Sequence, residues 1–330
     1  MKIGVIGDIH FSEYSSILRG RGNKYSIRLE NCIDSINWAE NEVNDCDIVV
    51  YLGDFFDKSS LNASELTALS EIIWNEKTHY FIVGNHELGI NDLTISSAHI
   101  FNHEYGEVID SPSMISYDDC QICFLPYALE NNRENSISDY FGSKTCKRII
   151  FSHNDIAGIS LGKFISKLGF SIDDIESNCD LFINGHLHNG AKITDKVINL
   201  GNLTGQNFSE DAFMYKHNIM ILDTDNLTYE LRENPYAINF YKLSNIHDID
   251  RTKNAIITIK VNGDDVDFIK NKLKNNNNVV TYKIVMQHVV EEARSIAELS
   301  VDHLEEFKKF VLKEIGNSPL VLEELSIING

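Results

Sequence analysis

Short apolar runs, each closed by a polar cluster, organise the first part of the chain. Residues 2–6 read as a strand that runs straight into Gly7-Asp8-Ile9-His10. Ile48-Val49-Val50-Tyr51-Leu52 is short, β-branched and followed by Gly53, which marks a buried strand ending in Gly53-Asp54-Phe55-Phe56-Asp57. Three further runs behave alike: 80–83 enters Gly84-Asn85-His86-Glu87, 148–151 enters Ser152-His153-Asn154, and 181–183 enters Asn184-Gly185-His186-Leu187-His188.

Between these runs the period changes to that of a helix. Leu29, Ile33, Ile36 and Val43 fall on one face, and Asn62 with Glu65 predicts a capping box opening a helix that buries Leu66, Leu69 and Ile73. Later strands, at 196–200, 219–223 and 227–232, follow one another without helices. The pattern predicts an α/β sandwich whose second half is largely antiparallel. A polar, aperiodic stretch at 244–253 suggests domains at 1–245 and 246–330, the second a small α+β unit with strand, helix and strand at 255–261, 266–273 and 279–286. Residues 300–316 form an amphipathic helical pattern with Leu304, Phe307, Val311 and Ile315 in one stripe, suited either to packing on its own domain or to docking another chain.

Composition narrows the possibilities. A chain of 330 residues with 43% hydrophobic content fills a real core. A formal charge of −20 disfavours unaided attraction to nucleic acid or an anionic membrane, while an excess of carboxylates suits hard divalent cations. No apolar run is long enough to cross a bilayer and no leader pattern opens the chain, so a cytoplasmic protein is expected. Six thinly spread cysteines fit reduced thiols, and Cys120-Gln121-Ile122-Cys123 reads as structural, with a zinc or redox role as its alternative. Arg19, Arg21, Lys24 and Arg28 make a basic island that is either a solvated loop or a set of phosphate contacts.

Alone, Asp54 and Asp57 fit an acid–base pair, metal ligands or a solvated turn. The joint pattern is more informative. Asp, Asn and His recur after five buried strands, and a mixed oxygen and nitrogen donor set suits two transition-metal ions about 3.5–4 Å apart, which clamp a phosphoryl oxygen and acidify a shared water. The remaining histidines, His79 and His217 among them, read as surface residues with hydrogen-bond partners.

The ordered set Asp-x-His, Gly-Asp-x-x-Asp, Gly-Asn-His-Glu, His and Gly-His-x-His resembles the calcineurin-like metallophosphoesterase superfamily. That resemblance implies a four-layered αββα sandwich with a small C-terminal capping domain. It further implies that Asp8, His10 and His188 hold one metal, that Asn85, His153 and His186 hold the other, and that Asp54 bridges them. His86 would act on the phosphate, with Asp57 and Glu87 as outer supports. The segment from Ser152 to Gly158, Asn199-Leu200-Gly201-Asn202 and Phe208-Ser209-Glu210 are similar to the SbcD-type DNA repair nucleases and phage recombination endonuclease subunits. This narrower likeness implies a DNA exonuclease and endonuclease using two divalent ions, first of all Mn²⁺, with Mg²⁺, Fe²⁺ or Zn²⁺ as alternatives. It also implies a homodimer and an SMC-like ATPase partner of the SbcC type, held through the C-terminal region. Glu87 and Lys58 lean toward the alternative, a phosphoprotein phosphatase or cyclic-nucleotide phosphodiesterase of the same superfamily.

Overall fold

The computed structural model describes residues 1–18, 20–102, 106–132, 135–161, 164–261 and 265–286. Arg19 and the amphipathic 300–316 stretch lie outside the described residues. The strands are β1 (Lys2–Ile6), β2 (Ile48–Tyr51), β3 (Thr78–Ile82), β4 (Glu107–Ile109), β5 (Ser113–Tyr117), β6 (Cys120–Leu125) and β7 (Lys147–Ser152). Then come the small hairpin β8 (Ser160–Leu161) and β9 (Phe164–Ile165), followed by β10 (Leu181–Asn184), β11 (Ala191–Lys192), β12 (Val197–Asn199), β13 (Asn218–Asp223) and β14 (Thr228–Glu233).

Two six-stranded sheets result, ordered β14-β13-β1-β2-β3-β4 and β11-β12-β10-β7-β6-β5. Alternation along each strand divides its side chains between two cores. Ile48 and Val50 face the core between the sheets, with Ile3 and Val5 from the first sheet and Ile122, Phe124, Ile149 and Ile183 from the second. Val49 and Tyr51 point the other way, onto α1 (Ile27–Glu42) and α2 (Ala63–Leu69). On the far side, Ile150, Phe182 and Val197 pack with Ile137 of α3 (Ile137–Phe141) and Ile175 of α4 (Ile172–Asn178). Helices therefore cover both outer faces of a double sheet, the αββα sandwich.

The second half is less antiparallel than its pattern suggests. β6, β7, β10 and β12 are all parallel, and only β5 and β11 run against them. β13 and β14 return to the first sheet, antiparallel beside β1. Consecutive strands were thus divided between two sheets, which strand pattern alone cannot assign.

α1 matches its expected face, with Leu29, Ile33, Ile36 and Val43 all buried. α2 does not. Its capping box forms at Asn62 and Glu65, but the helix ends at Leu69, leaving Leu66 47% and Ile73 74% exposed. Glu65 is buried instead, where its carboxylate accepts from Ser12 Oγ, Glu13 N and Asn62 N.

A three-stranded parallel sheet, β15 (Asn239–Leu243), β16 (Ala255–Val261) and β17 (Val279–Met286), forms the smaller unit with α5 (Val266–Lys274). β15 precedes the boundary expected at 245/246. The polar stretch read as the domain boundary is the crossover from β15 to β16, and it holds the 3₁₀ turn Ile246–Arg251. Ile238, Phe240 and Ile256 of this unit pack on Leu18 and Ile17 of the loop after β1.

Candidate metal centre

Parallel strands deliver their C-terminal ends to one edge of a sheet, and here both sheets do so side by side. Asp8 and His10 follow β1, Asp54 follows β2, Asn85 and His86 follow β3, His153 follows β7, and His186 and His188 follow β10. The turns are tight enough to force uncommon backbone. His10 (φ 50°), Asp54 (φ 47°) and His186 (φ 70°) all adopt the left-handed region, which costs a non-glycine residue about 1–3 kcal/mol. Ile9 N and His10 N both donate to Asp54 O, at 3.1 and 2.9 Å, so two of these turns brace each other. Two glycines let the carboxylates come close. A Cβ on Gly84 would lie 2.2 Å from Asp54 Oδ1, and one on Gly185 would lie 2.6 Å from Asp8 Oδ1.

Asp8, His10 and His188 present ligand atoms within 4.8 Å of one another, and so do Asp54, His153 and His186. His10, Asp54 and His86 form a third such group, which joins the first two. In the first group the two imidazoles meet Nε2 to Nε2 at 3.0 Å. His10 Nδ1 donates to Asp57 Oδ1 at 3.2 Å, and His188 Nδ1 donates to Glu210 Oε1 at 3.2 Å. In the second group His153 Nδ1 donates to Leu52 O at 2.8 Å, while Nε2 faces Asp54 Oδ2 at 3.1 Å and Asn85 Oδ1 at 3.3 Å.

Protonation follows from this crowding of charge. Burial opposes ionisation of Asp54, but His153, then His10 and His86, outweigh it and hold the carboxyl well below its usual range. Burial likewise disfavours a charged His153, yet Asp54 and Asp8 push it up to about 9. His188 is also raised, with Glu210 and Asp8 overcoming burial, whereas burial lowers His10. The Nε2 atoms of His10 and His188 face each other, as do His153 Nε2 and Asp54 Oδ2, across points that a cation could take.

The sequence profile described as Calcineurin-like phosphoesterase matches residues 1–190, more than half the chain and a span that contains every residue named in both groups. The chain belongs to the calcineurin-like phosphoesterase family. It is accordingly a metal-dependent phosphoester hydrolase. Among solved structures it is similar to a dimetal phosphatase from Danio rerio, at 14% identity and a TM-score of 0.39, with 71% of this chain and 96% of that chain covered. The search of curated proteins found no match.

Members of this family typically use two divalent ions, and the donor set fits them. Asp8 Oδ2 is fully buried with no hydrogen-bond partner among the described residues, a costly state for a carboxylate oxygen unless a cation completes it. The outer partners include two carboxylates whose position sequence reasoning did not assign. Glu210 orients His188, and Asp155 lies 3.3 Å from His186 Nε2. Asp155 stands two residues after His153 and Glu210 closes Phe208-Ser209-Glu210, but each is far in sequence from the histidine it meets, so spacing gave no signal for the pairing. Asp57 meets His10 as a supporting group. Glu87 accepts from Gly84 N and Phe56 N, tying two strand-end turns together, and burial beside Asp54 pushes it up to about 8.

The basic island separates into different roles. Arg28 is 2% exposed and donates to Ile9 O, His10 O and Gly205 O, so it braces the left-handed turn at His10 and is not an exposed phosphate contact. Lys24 is exposed and paired with Glu71, and Arg21 is exposed. His79 and His217 are buried, contrary to expectation, against Glu40 and Asn202 O respectively. Cys120 and Cys123 are buried free thiols, and burial pushes Cys123 up to about 12. Among the described residues no helix is long and apolar enough to cross a membrane.

Proposed function

We propose that the protein is a nuclease that hydrolyses DNA phosphodiester bonds. The observation that carries this reading is the shape around the metal centre. A groove of about 610 Å³ opens on the His186 and His188 side, and another of about 270 Å³ opens on the His10 and His86 side. Both are lined by His188 and Asn207. A phosphate at the centre therefore has room for a substituent on each side, as a diester requires and a monoester does not. The small C-terminal unit supports the reading, because its Phe240 and Ile256 brace the loop that walls the narrower groove.

In this reading Asp8, His10 and His188 hold one ion, Asn85, His153 and His186 the other, and Asp54 is shared. When bound, the pair supplies Lewis-acid stabilisation of the phosphoryl oxygens and an acidified water. His86 sits outside the ligand set. Its Nδ1 lies 3.2 Å from Asp57 O and its backbone N donates to Asp54 Oδ1 at 2.9 Å, which fixes the ring on the groove side of the centre. From there Nε2 can give a proton to the departing sugar oxygen. Manganese is the proposed metal. The charge of −20 suits a protein that shares DNA binding with a partner, and we assign that role to an SMC-like ATPase, with the nuclease acting as a homodimer.

The test is hydrolysis by purified protein with Mn²⁺ of linear duplex and single-stranded DNA, beside small phosphodiesters and a phosphoprotein. Cleavage of DNA is expected. Absence of DNA cleavage with brisk hydrolysis of the small or protein substrates overturns the nuclease reading in favour of a phosphatase or cyclic-nucleotide phosphodiesterase.

A further inference from the structure

The narrower groove has an unusual wall. Tyr14 lines it together with His10 and His86, yet its side chain is 68% exposed. The loop bearing it is anchored on both sides. Glu13 N donates to the buried Glu65 at 2.9 Å, Tyr14 N donates to Ser12 Oγ at 3.1 Å, and Ser26 Oγ donates to Glu13 O at 2.8 Å. After the tyrosine, Ile17 N and Leu18 N both donate to Ser15 Oγ, and Leu18 is buried among Ile238, Phe240 and Ile256. A large aromatic ring is thus carried on a braced loop at the mouth of the centre with most of its surface left open.

Several of the polar groups beside it already have partners. Arg28 serves three backbone carbonyls, Gln206 Nε2 donates to Ile9 O and Thr204 O, and Asn207 Oδ1 accepts from Ser209 N and Oγ. To an incoming planar group Tyr14 offers an exposed ring face at the groove. Stacking of this kind tolerates any base, because every base has a π-face.

The geometry points to a nucleobase subsite here, with Tyr14 stacking on the base of the nucleotide that leaves. The leaving side is assigned because His86, the proposed proton donor, lines the same groove. This subsite rests on the nuclease reading above. It adds a specificity that a metal centre alone does not have, a requirement for a base but not for its identity.

The experiment measures Mn²⁺-dependent cleavage of single-stranded oligonucleotides ending in each of the four bases and of one ending in an abasic nucleotide. Tyr14→Ala should raise KM about tenfold on the four base-bearing substrates alike, with kcat little changed, and Tyr14→Phe should restore the wild-type KM. On the abasic oligonucleotide, Tyr14→Ala and wild type should coincide. If wild type cleaves DNA and Tyr14→Ala is unchanged, or loses as much on the abasic substrate, the subsite is overturned and the nuclease reading stands. If wild type cleaves no oligonucleotide but hydrolyses a phosphotyrosine peptide, both fall.

Discussion

Glu210 is the sharpest handle on the metal centre, because it should control one ion and not the other. It is 3% exposed and accepts from His188 Nδ1 at 3.2 Å and from Gln206 N at 2.9 Å. Removing the anionic acceptor of a ligating histidine typically weakens metal affinity by about 10–100-fold, or about 1.4–2.8 kcal/mol. The cost of a lost hydrogen bond to a charged group, about 1.5–3 kcal/mol, gives the same range independently. Glu210→Gln keeps the volume and one acceptor oxygen, which can serve His188 or Gln206 N, so about tenfold is expected; Glu210→Ala should fall near the upper end. The loss should be confined to the ion proposed for Asp8, His10 and His188. The other group has its own supports, Leu52 O on His153 and Asp155 on His186. Asp155→Asn should therefore weaken the opposite ion. Calorimetric titration of chelator-treated protein with Mn²⁺ would resolve the two affinities, with thermal melting of the metal-free variants as a check on folding. If either substitution shifts both affinities equally, or neither, the assignment of these carboxylates to separate ions is wrong.

Two other outcomes follow from the geometry. His86→Ala should retain two ions per chain and lose about 10²–10³-fold in kcat, because in the proposed reading its ring contributes proton transfer and no ligand; metal content with single-turnover rates checks this, and loss of metal would return His86 to the ligand set. Metal-free protein should lose stability as pH rises from about 6.5 to about 9, with His153 alone contributing about 3 kcal/mol, since a His153 pKa raised from 6.5 to about 9 adds stability below 6.5 that disappears as the imidazolium deprotonates. Glu87, raised to about 8, acts in the same direction between about 4.5 and 8, and bound metal should remove the His153 contribution. Melting temperatures of chelated protein across that range would show it, and a flat or rising profile would refute it.

That these Asp, Asn and His residues gather at one place was legible in the sequence for a topological reason. Parallel strands end on one edge, so five buried runs each closed by Asp, Asn or His imply one site without any knowledge of pairing. What was not legible depends on approach in space. Lys196 to Leu200 reads as a strand, but only the fold places β12 parallel beside β10. Arg28 reads as one more charge in a basic loop, and only the fold turns it inward onto three carbonyls. Glu210 follows His188 by many residues, so its partner is chosen by the chain's return past Gly201 and not by spacing.

The glycines before the ligands show where the two kinds of information meet. Gly53, Gly84 and Gly185 read in sequence as turn formers after strands, and Gly53, at φ 102°, is one by conformation. Gly84 and Gly185 have no positive φ to explain them. Their side is occupied by the carboxylates of Asp54 and Asp8, contributed by different strands. A turn could have been made with another small residue, but the contact could not. The glycine that seems to end one strand is therefore required by the ligand at the end of another, and this is why the five ends form one compact centre.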